Sequence, residues 1–376
     1  MTLSLYVDTD RWRAHQRAVL AEFPGLVPVA KGNGYGFGNR RLAQEAALLG
    51  TGCLAVGTAA EAAELLRDGG HGQDGDGRDR DGDGNGDRPG GFPGELLVLT
   101  PYRVGEEGAE LPDDTVLRTV AGVEALRALS QAPGRRRVVV ECMTSMRRHG
   151  IAPAELAHLA EAAAATGGAG SVIEGFALHL PLDRPDGSDP AAEISAWVQA
   201  IETAALPVEH IYLSHLDAGG IAWLNVRHPA TTFHSRIGTR LWLGEVEALT
   251  ARATVLDVTA VSRGERYGYR QHKAPSDGHL LVVSGGTAHG IGLQAPTYVK
   301  GLLPRAKGIA RAGLASLNRT LSPYQWNGRQ LWFAEPPHMQ VSIVFLPGET
   351  KPPAIGDELP LNVRHTTTHF DRLADR

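Results

Sequence analysis

Short apolar runs alternate with Ala- and Leu-rich stretches of helical length through the first two thirds of the chain, and this rhythm limits the fold more than any other feature. LVPVA (26–30) precedes RRLAQEAALLG, and CLAVG (53–57) precedes TAAEAAELLRDGG. GELLVLT (94–100) follows, then TVLRTV (115–120) before VEALRALS and RVVVEC (137–142) before PAELAHLAEAAAA. VIEGFALHL (172–180) precedes AAEISAWVQAIE, and HIYLSH (210–215) comes next. Strands that alternate with helices of ten or more residues make βαβ units, which build a parallel sheet. About seven or eight such units before residue 250 suit a closed (β/α)8, TIM-like barrel. An open Rossmann-like sheet is the second choice, but no GxGxxG follows the first strand.

After about residue 248 the texture changes. ATVLDVTAVSRGERYGY, HLLVVSGG, QLWFAE, MQVSIVFLP and GDELPLNV are strand-like and separated by Gly/Pro turns. The prediction is therefore an α/β barrel over 8–247, then a mainly β C-terminal domain over 248–376 that also takes the N-terminal strand 1–7. One stretch breaks the rhythm. Residues 69–93 are nearly devoid of apolar side chains and rich in Gly and Asp, so burial cannot recover their ordering entropy. A disordered surface insert is the expectation. A calcium repeat is disfavoured, because the stretch has neither EF-hand ligand spacing nor a nonapeptide period.

Composition removes several function classes. A formal charge of −5 over 376 residues offers no basic field, so nucleic acid is not an expected partner. The two cysteines, Cys53 and Cys142, fit neither a disulfide framework nor a zinc site, and no metal is expected. No stretch approaches the roughly 20 apolar residues of a membrane span. The opening MTLSLYVDTDRWRAHQR turns charged within a few residues and lacks a signal peptide's apolar centre, so cytoplasm is the expected location.

The sharpest local feature is VPVAKGNGYGFGN (27–39). Lys31 stands directly after an apolar strand, at the end of a barrel where catalytic groups sit. The glycines behind it allow backbone to approach a ligand, and Tyr35 can offer a hydroxyl to an anion. An amine there is partly desolvated, which favours the neutral nucleophile that Schiff-base chemistry needs. From these residues alone, a solvated lysine beside a flexible turn accounts for the segment equally well.

The segment resembles the lysine signature V-x-K-A-N-A-Y-G-H-G of the alanine racemase family, enzymes of fold type III that use pyridoxal 5′-phosphate (PLP). The resemblance runs over nearly the whole chain apart from 69–93. It implies that Lys31 carries PLP as a Schiff base and that Tyr35 binds its phosphate. IEGFALHLPLDRPD is similar to I-x-G-x-x-T-H-F-A-x-A-D and places His179 on the cofactor ring; alone, His179 could equally be a core histidine. ECMTSMRRHGI is similar to K-V-D-T-G-M-x-R-x-G, so Arg148 would reach the cofactor's phenolic oxygen and the substrate carboxylate. A surface arginine is the other reading of Arg148. Glu141 stands where many relatives have a lysine that becomes a carbamate, and a glutamate would supply that negative charge without modification.

HIYLSHLDAGG resembles H-x-x-N-S-A-A and puts Ser214 among the phosphate donors, with His215 and Asp217 as departures. HSRIGTRLWLG resembles V-R-P-G-I-x-x-Y-G, so Arg236 would face the pyridine nitrogen, and the Gly238–Thr239 backbone would donate to the phosphate. An arginine there disfavours protonation of the ring and limits its strength as an electron sink. GERYGYRQHKA resembles G-E-x-V-S-Y-G-x-x-Y-x-A and makes Tyr269 the second catalytic base, with Tyr267 as its nearest rival. In a family dimer this tyrosine reaches the partner's active site, which implies a homodimer. PPHMQVSIVFLP makes Met339 the residue whose backbone helps bind the substrate carboxylate.

Two departures concern the entrance. SGGTAHG (284–290) replaces the family's G-Y-A-D-G, so the entrance tyrosine is placed at Gly286 or thereabouts, and Gln340 replaces an aspartate. His289 or His272 could supply a substitute group. The resemblance implies a racemase interconverting L- and D-alanine, or another small amino acid, by two-base proton exchange at Cα. Racemisation of larger amino acids, PLP-dependent decarboxylation and non-catalytic PLP binding remain as alternatives.

Overall fold

The computed structural model describes residues 2–69, 92–105, 111–112, 114–131, 134–165, 170–293, 320–348 and 350–376. Most of the Gly/Asp-rich stretch, residues 70–91, lies outside them. In chain order the first elements are β1 (Leu3–Val7), α1 (Thr9–Glu22), β2 (Leu26–Ala30), α2 (Asn39–Leu48), β3 (Cys53–Val56), α3 (Ala59–Gly69) and β4 (Glu95–Val98). Then come β5 (Val116–Val120), α4 (Val123–Gln131), β6 (Arg137–Cys142), α5 (Leu156–Ala165), β7 (Val172–His179), α6 (Pro190–Thr203), β8 (His210–Ser214), α7 (Ala218–Arg227), β9 (Thr232–Ile237) and α8 (Thr239–Leu243). The remainder is β10 (Leu249–Val261), β11 (Arg266–Tyr267), β12 (His272–Lys273), β13 (Gly278–Ser284), β14 (Leu321–Trp326), β15 (Arg329–Phe333), β16 (Val341–Pro347), β17 (Glu358–Pro360) and β18 (Arg372–Asp375).

The chain divides into two compact units, one of residues 14–34 and 38–244, the other of 1–13, 35–37 and 245–376. In the first, β2 to β9 pair in sequence order, all parallel, and β9 closes on β2. The expected (β/α)8 barrel is present. Strands in such a barrel are covered on both faces, which is why LVPVA is buried at all five positions. Val27, Val29, Ala55, Leu97, Leu117, Val139, Ala177 and Tyr212 fill the interior, drawn from seven successive strands. Tyr212 stacks on His234 with ring centres 4.8 Å apart. Burial holds the His234 imidazole down at about 4 and pushes the Tyr212 phenol up, so both are neutral filling near pH 7.

The second unit is the expected mainly β domain. Its sheet runs β14-β15-β16-β13-β10-β1-β18, with β17 also on β10. The long β10 pairs antiparallel with β1, β13 and β17, which draws the N-terminal strand into the sheet. Tyr324 is fully buried there, and its hydroxyl donates to the carbonyls of Ser284 and Gly285 at 3.0 and 2.8 Å. The Tyr35–Phe37 segment belongs to this unit: Phe37 stacks on Trp12 at 4.6 Å and on His365 at 6.5 Å. No helix among the described residues is long and apolar enough to cross a membrane.

Candidate active site

Barrel strands end in side chains that face one another across the C-terminal mouth. Lys31 follows β2 directly, Glu141 is the penultimate residue of β6, His179 ends β7, Ser214 ends β8 and Arg236 is penultimate in β9. Gly238 and Thr239 open α8, while Arg148 lies in the loop after β6. Eight of the residues singled out in the sequence are thus gathered at one end of the barrel.

Glu141 is the anion at their centre. Its Oε1 lies 3.6 Å from Arg148 Nη2, and its Oε2 lies 3.6 Å from Arg236 Nη1. Only 3% of the side chain of Glu141 or of Arg236 is exposed, against 42% for Arg148. Burial pushes the Glu141 carboxyl up, while Arg236 first and Arg148 second favour its ionised form. Burial likewise pulls the Arg236 guanidinium down, and Glu141 opposes that. Each charge is the other's main compensation, because an unpaired buried charge is costly.

Glu141 thus pairs with Arg148 and also with Arg236, 95 residues further along the chain. Glu141→Ala should therefore disturb both arginines. The expected result is a rise in substrate KM of about tenfold, from lost orientation of the Arg148 guanidinium, which the sequence resemblance assigns to the substrate carboxylate. Steady-state kinetics check this, and an unchanged KM would reject the role.

Lys31 shares the mouth with these cations. Partial burial, then the charges of Arg148 and Arg236, hold its amine below the ordinary lysine value, against an upward pull from Glu61. Glu61 was not singled out in the sequence. Its Oε1 accepts from the Gly32 backbone at 2.7 Å, and its Oε2 from the Thr58 backbone at 3.0 Å, while Thr58 Oγ1 accepts from the Glu61 backbone at 3.2 Å. This is a capping box, and T-x-x-E before an Ala/Leu run was the signal that would have found it.

His179 is held down to about 3, by burial first and then by Arg236, Arg148, His215 and Lys31. It is a neutral ring near pH 7, suited to packing flat on an aromatic partner. His215 meets it edge-on with ring centres 5.0 Å apart, on left-handed backbone (φ 65°). Thr144 Oγ1 donates to the His179 carbonyl at 2.5 Å and ties the loop after β6 to the end of β7.

The remaining predicted residues belong to the β unit. Tyr35 takes left-handed backbone (φ 54°) beside Gly36, whose Cα leaves room for the Phe370 ring. Tyr269 and Met339 line one open cleft with Arg270, Thr287, Pro337 and His338, and are 85% and 71% exposed. Tyr267 is different. It is half-buried against Val261, Ala274, Ala334 and Phe345, and burial and Glu335 push its phenol up, which disfavours a tyrosinate. The rival tyrosine is a packing residue.

Two entrance assignments need correction. Gly286 lies against the backbone of the 338–340 segment, where a Cβ would come within 2.2 Å of the His338 carbonyl oxygen, so no tyrosine fits there. Thr287 instead faces the cleft. The Thr287 and Ala288 backbone N–H groups donate to the His338 and Met339 carbonyls and fix this register. His289 is no substitute group: its Nδ1 accepts from the Gly286 backbone at 3.2 Å and its Nε2 pairs with Asp371 at 3.0 Å. His272 lies on β12 beside Tyr267, 6.3 Å between ring centres.

Solved structures share this fold. Alanine racemase from D-cycloserine-producing Streptomyces lavendulae matches with a TM-score of 0.64 at 21% identity, over 96% of this chain and 87% of that one. The enzyme from E. faecalis matches at 0.64 and 17%, over 100% and 98%. That from Bartonella henselae, with covalently bound pyridoxal phosphate, matches at 0.64 and 18%, over 97% and 91%. No curated protein sequence matches the chain. The family model described as "Alanine racemase, N-terminal domain" matches residues 7–245, well over half of the 376 residues and all of the barrel strands. The chain belongs to the alanine racemase family, whose enzymes work with PLP.

Proposed function

We propose that the chain is a PLP-dependent racemase of alanine or another small amino acid, with Lys31 and Tyr269 as the two bases. The observation that carries the proposal is Arg236. Its side chain is almost wholly buried, yet Nε and Nη2 have no hydrogen-bond partner among the described residues. Buried charged donors left unpaired cost about 1–3 kcal/mol or more. They call for an acceptor from outside the chain, which a pyridine nitrogen supplies. The donors at the barrel mouth fit the rest of PLP equally: an amine of lowered pKa for its aldehyde, a neutral imidazole for its ring, and Ser214 and the Gly238–Thr239 backbone for its phosphate.

Bound PLP supplies electron withdrawal that acidifies the substrate's Cα–H. Lys31 would hold the cofactor through its aldehyde, and its amine would take or return a proton at Cα from one side. Arg148, oriented by Glu141, holds the substrate carboxylate. Arg236, a permanent cation, would hold the ring nitrogen without giving it a proton, and so would favour return of a proton at Cα. Tyr269, lent by a second copy of the chain, works on the opposite face as phenolate or phenol. One base gains the proton that leaves and the other gives up its own, so the configuration inverts. Decarboxylation is disfavoured, because a carboxylate at the ring nitrogen would be expected for it and Arg236 holds that place.

A second reading, racemisation of larger amino acids, is favoured by Thr287, a small side chain in the cleft beside Tyr269 and Met339. Incubation of the holoenzyme in heavy water with a panel of L- and D-amino acids tests both. Small substrates should interconvert with deuterium gained at Cα. Interconversion of bulky substrates alone would select the second reading, and carbon dioxide release or no exchange would overturn both.

A further inference from the structure

We propose that Glu335 and His338 are positioning residues for Tyr269, holding its phenol in the direction in which it works. The inference rests on the reading of Tyr269 as the second base. All three residues lie in the β unit, with Glu335 and His338 in the turn between β15 and β16.

Glu335 is a buried carboxylate with both oxygens committed. Oε1 accepts from His338 Nε2 at 2.8 Å, and Oε2 accepts from the Tyr269 backbone N–H at 2.9 Å. Only 3% of its side chain is exposed, against 26% for His338. The approach depends on Gly268. That residue has φ +70°, and a Cβ there would lie 2.3 Å from Glu335 Oε2. The glycine before the tyrosine is therefore what lets the carboxylate reach the backbone.

His338, aimed by Glu335, lays its ring against Tyr269 with centres 4.8 Å apart and planes at 44°. Tyr269 is 85% exposed, so most of its ring lies open to solvent and the His338 face is its one ring contact among the described residues. Pro336 and Pro337 separate Glu335 from His338 and limit the backbone freedom of the turn. A carboxylate thus anchors the backbone of the catalytic tyrosine and aims an imidazole at its ring. Without that support the exposed side chain would sample several rotamers, and a misplaced base loses rate steeply.

The test uses the full chain carrying ring-13C tyrosine, with the Tyr269 resonance identified by its disappearance in Tyr269→Phe. In wild type the His338 ring current should displace this resonance. In His338→Ala, and in His338→Gln, which can still bond Glu335, it should move by loss of that ring current. The Tyr267 and Tyr324 resonances should stay in place and report an intact fold. In the holoenzyme, His338→Ala should lower kcat about tenfold with KM little changed. The isotope effect from Cα-deuterated substrate should rise for the one enantiomer whose proton faces Tyr269.

A Tyr269 resonance that ignores both His338 substitutions would overturn the proposal, whatever the kinetics. A resonance that moves while the isotope effects of the two enantiomers stay alike would reduce the contact to packing and overturn it too. Failure of the underlying reading looks different: Tyr269→Phe would then racemise as fast as wild type.

Discussion

Lys31→Ala should leave a colourless protein that neither captures PLP covalently nor racemises any substrate at more than about a thousandth of the wild-type rate. The expected loss is large because the proposed function gives a single atom, Nζ, two duties: binding the cofactor's aldehyde and moving the proton on one face of Cα. Lys31→Arg should behave the same way, since a guanidinium stays protonated and forms no such bond. Absorbance after dialysis and a chiral assay check both variants, and retained colour with retained activity would place the cofactor elsewhere.

The same substitution should not destabilise the protein without cofactor. Partial burial and the neighbouring Arg148 and Arg236 hold the Lys31 amine below its ordinary value. A lysine whose value is lower in the folded than in the unfolded chain weighs against folding while it is protonated. That penalty is full below the folded value and disappears as pH rises to the unfolded one. Denaturant unfolding of cofactor-free protein should therefore show Lys31→Ala at least as stable as wild type near neutral pH. The two should converge in alkali. A stability lower than wild type would mean that the stem of Lys31 packs more than its charge repels.

Tyr269→Phe separates the two proposed bases. It should keep PLP and its colour, because the phenol takes no part in holding the cofactor. Racemisation should fall by about 10²- to 10⁴-fold, the usual contribution of a positioned acid or base. The fall must be equal in both directions, since enantiomers have an equilibrium constant of one. Exchange with heavy water should be unequal. The enantiomer whose proton faces Lys31 should still gain deuterium with retention of configuration, while the other should exchange slowly. Racemisation undiminished in this variant would remove Tyr269 from the mechanism.

Much of this was legible in one dimension. The apolar strand followed by a helix recurs so regularly that the closed barrel and seven of its strands follow from it; RVVVEC, for instance, is β6 with the bounds read from the sequence, whereas β9 did not stand out as an apolar run. Lys31, Arg148, His179, Ser214 and Arg236 were singled out through short motifs, and the barrel brings them to one end because each lies at or just after the end of a strand. Such a residue needs only local sequence to place it. Glu61 was legible in principle through its capping box, since that interaction spans three residues.

Other features had no local signal. Glu141 reaches Arg236 across 95 residues, and Glu335 reaches the Tyr269 backbone across 66. Which side chain faces the cleft, Thr287 and not Gly286, depended on hydrogen-bond register against the 338–340 segment.

The amino-acid sequence by itself determined the barrel, the β-rich second unit and the order in which chemical groups arrive at the strand ends, because periodicity and backbone geometry act over a few residues. Tertiary structure alone decided which charges share a carboxylate, which tyrosine is open and which is packed, and what stands at the cleft. Those outcomes are set by desolvation and by distances between segments far apart in the chain, and no local pattern encodes either.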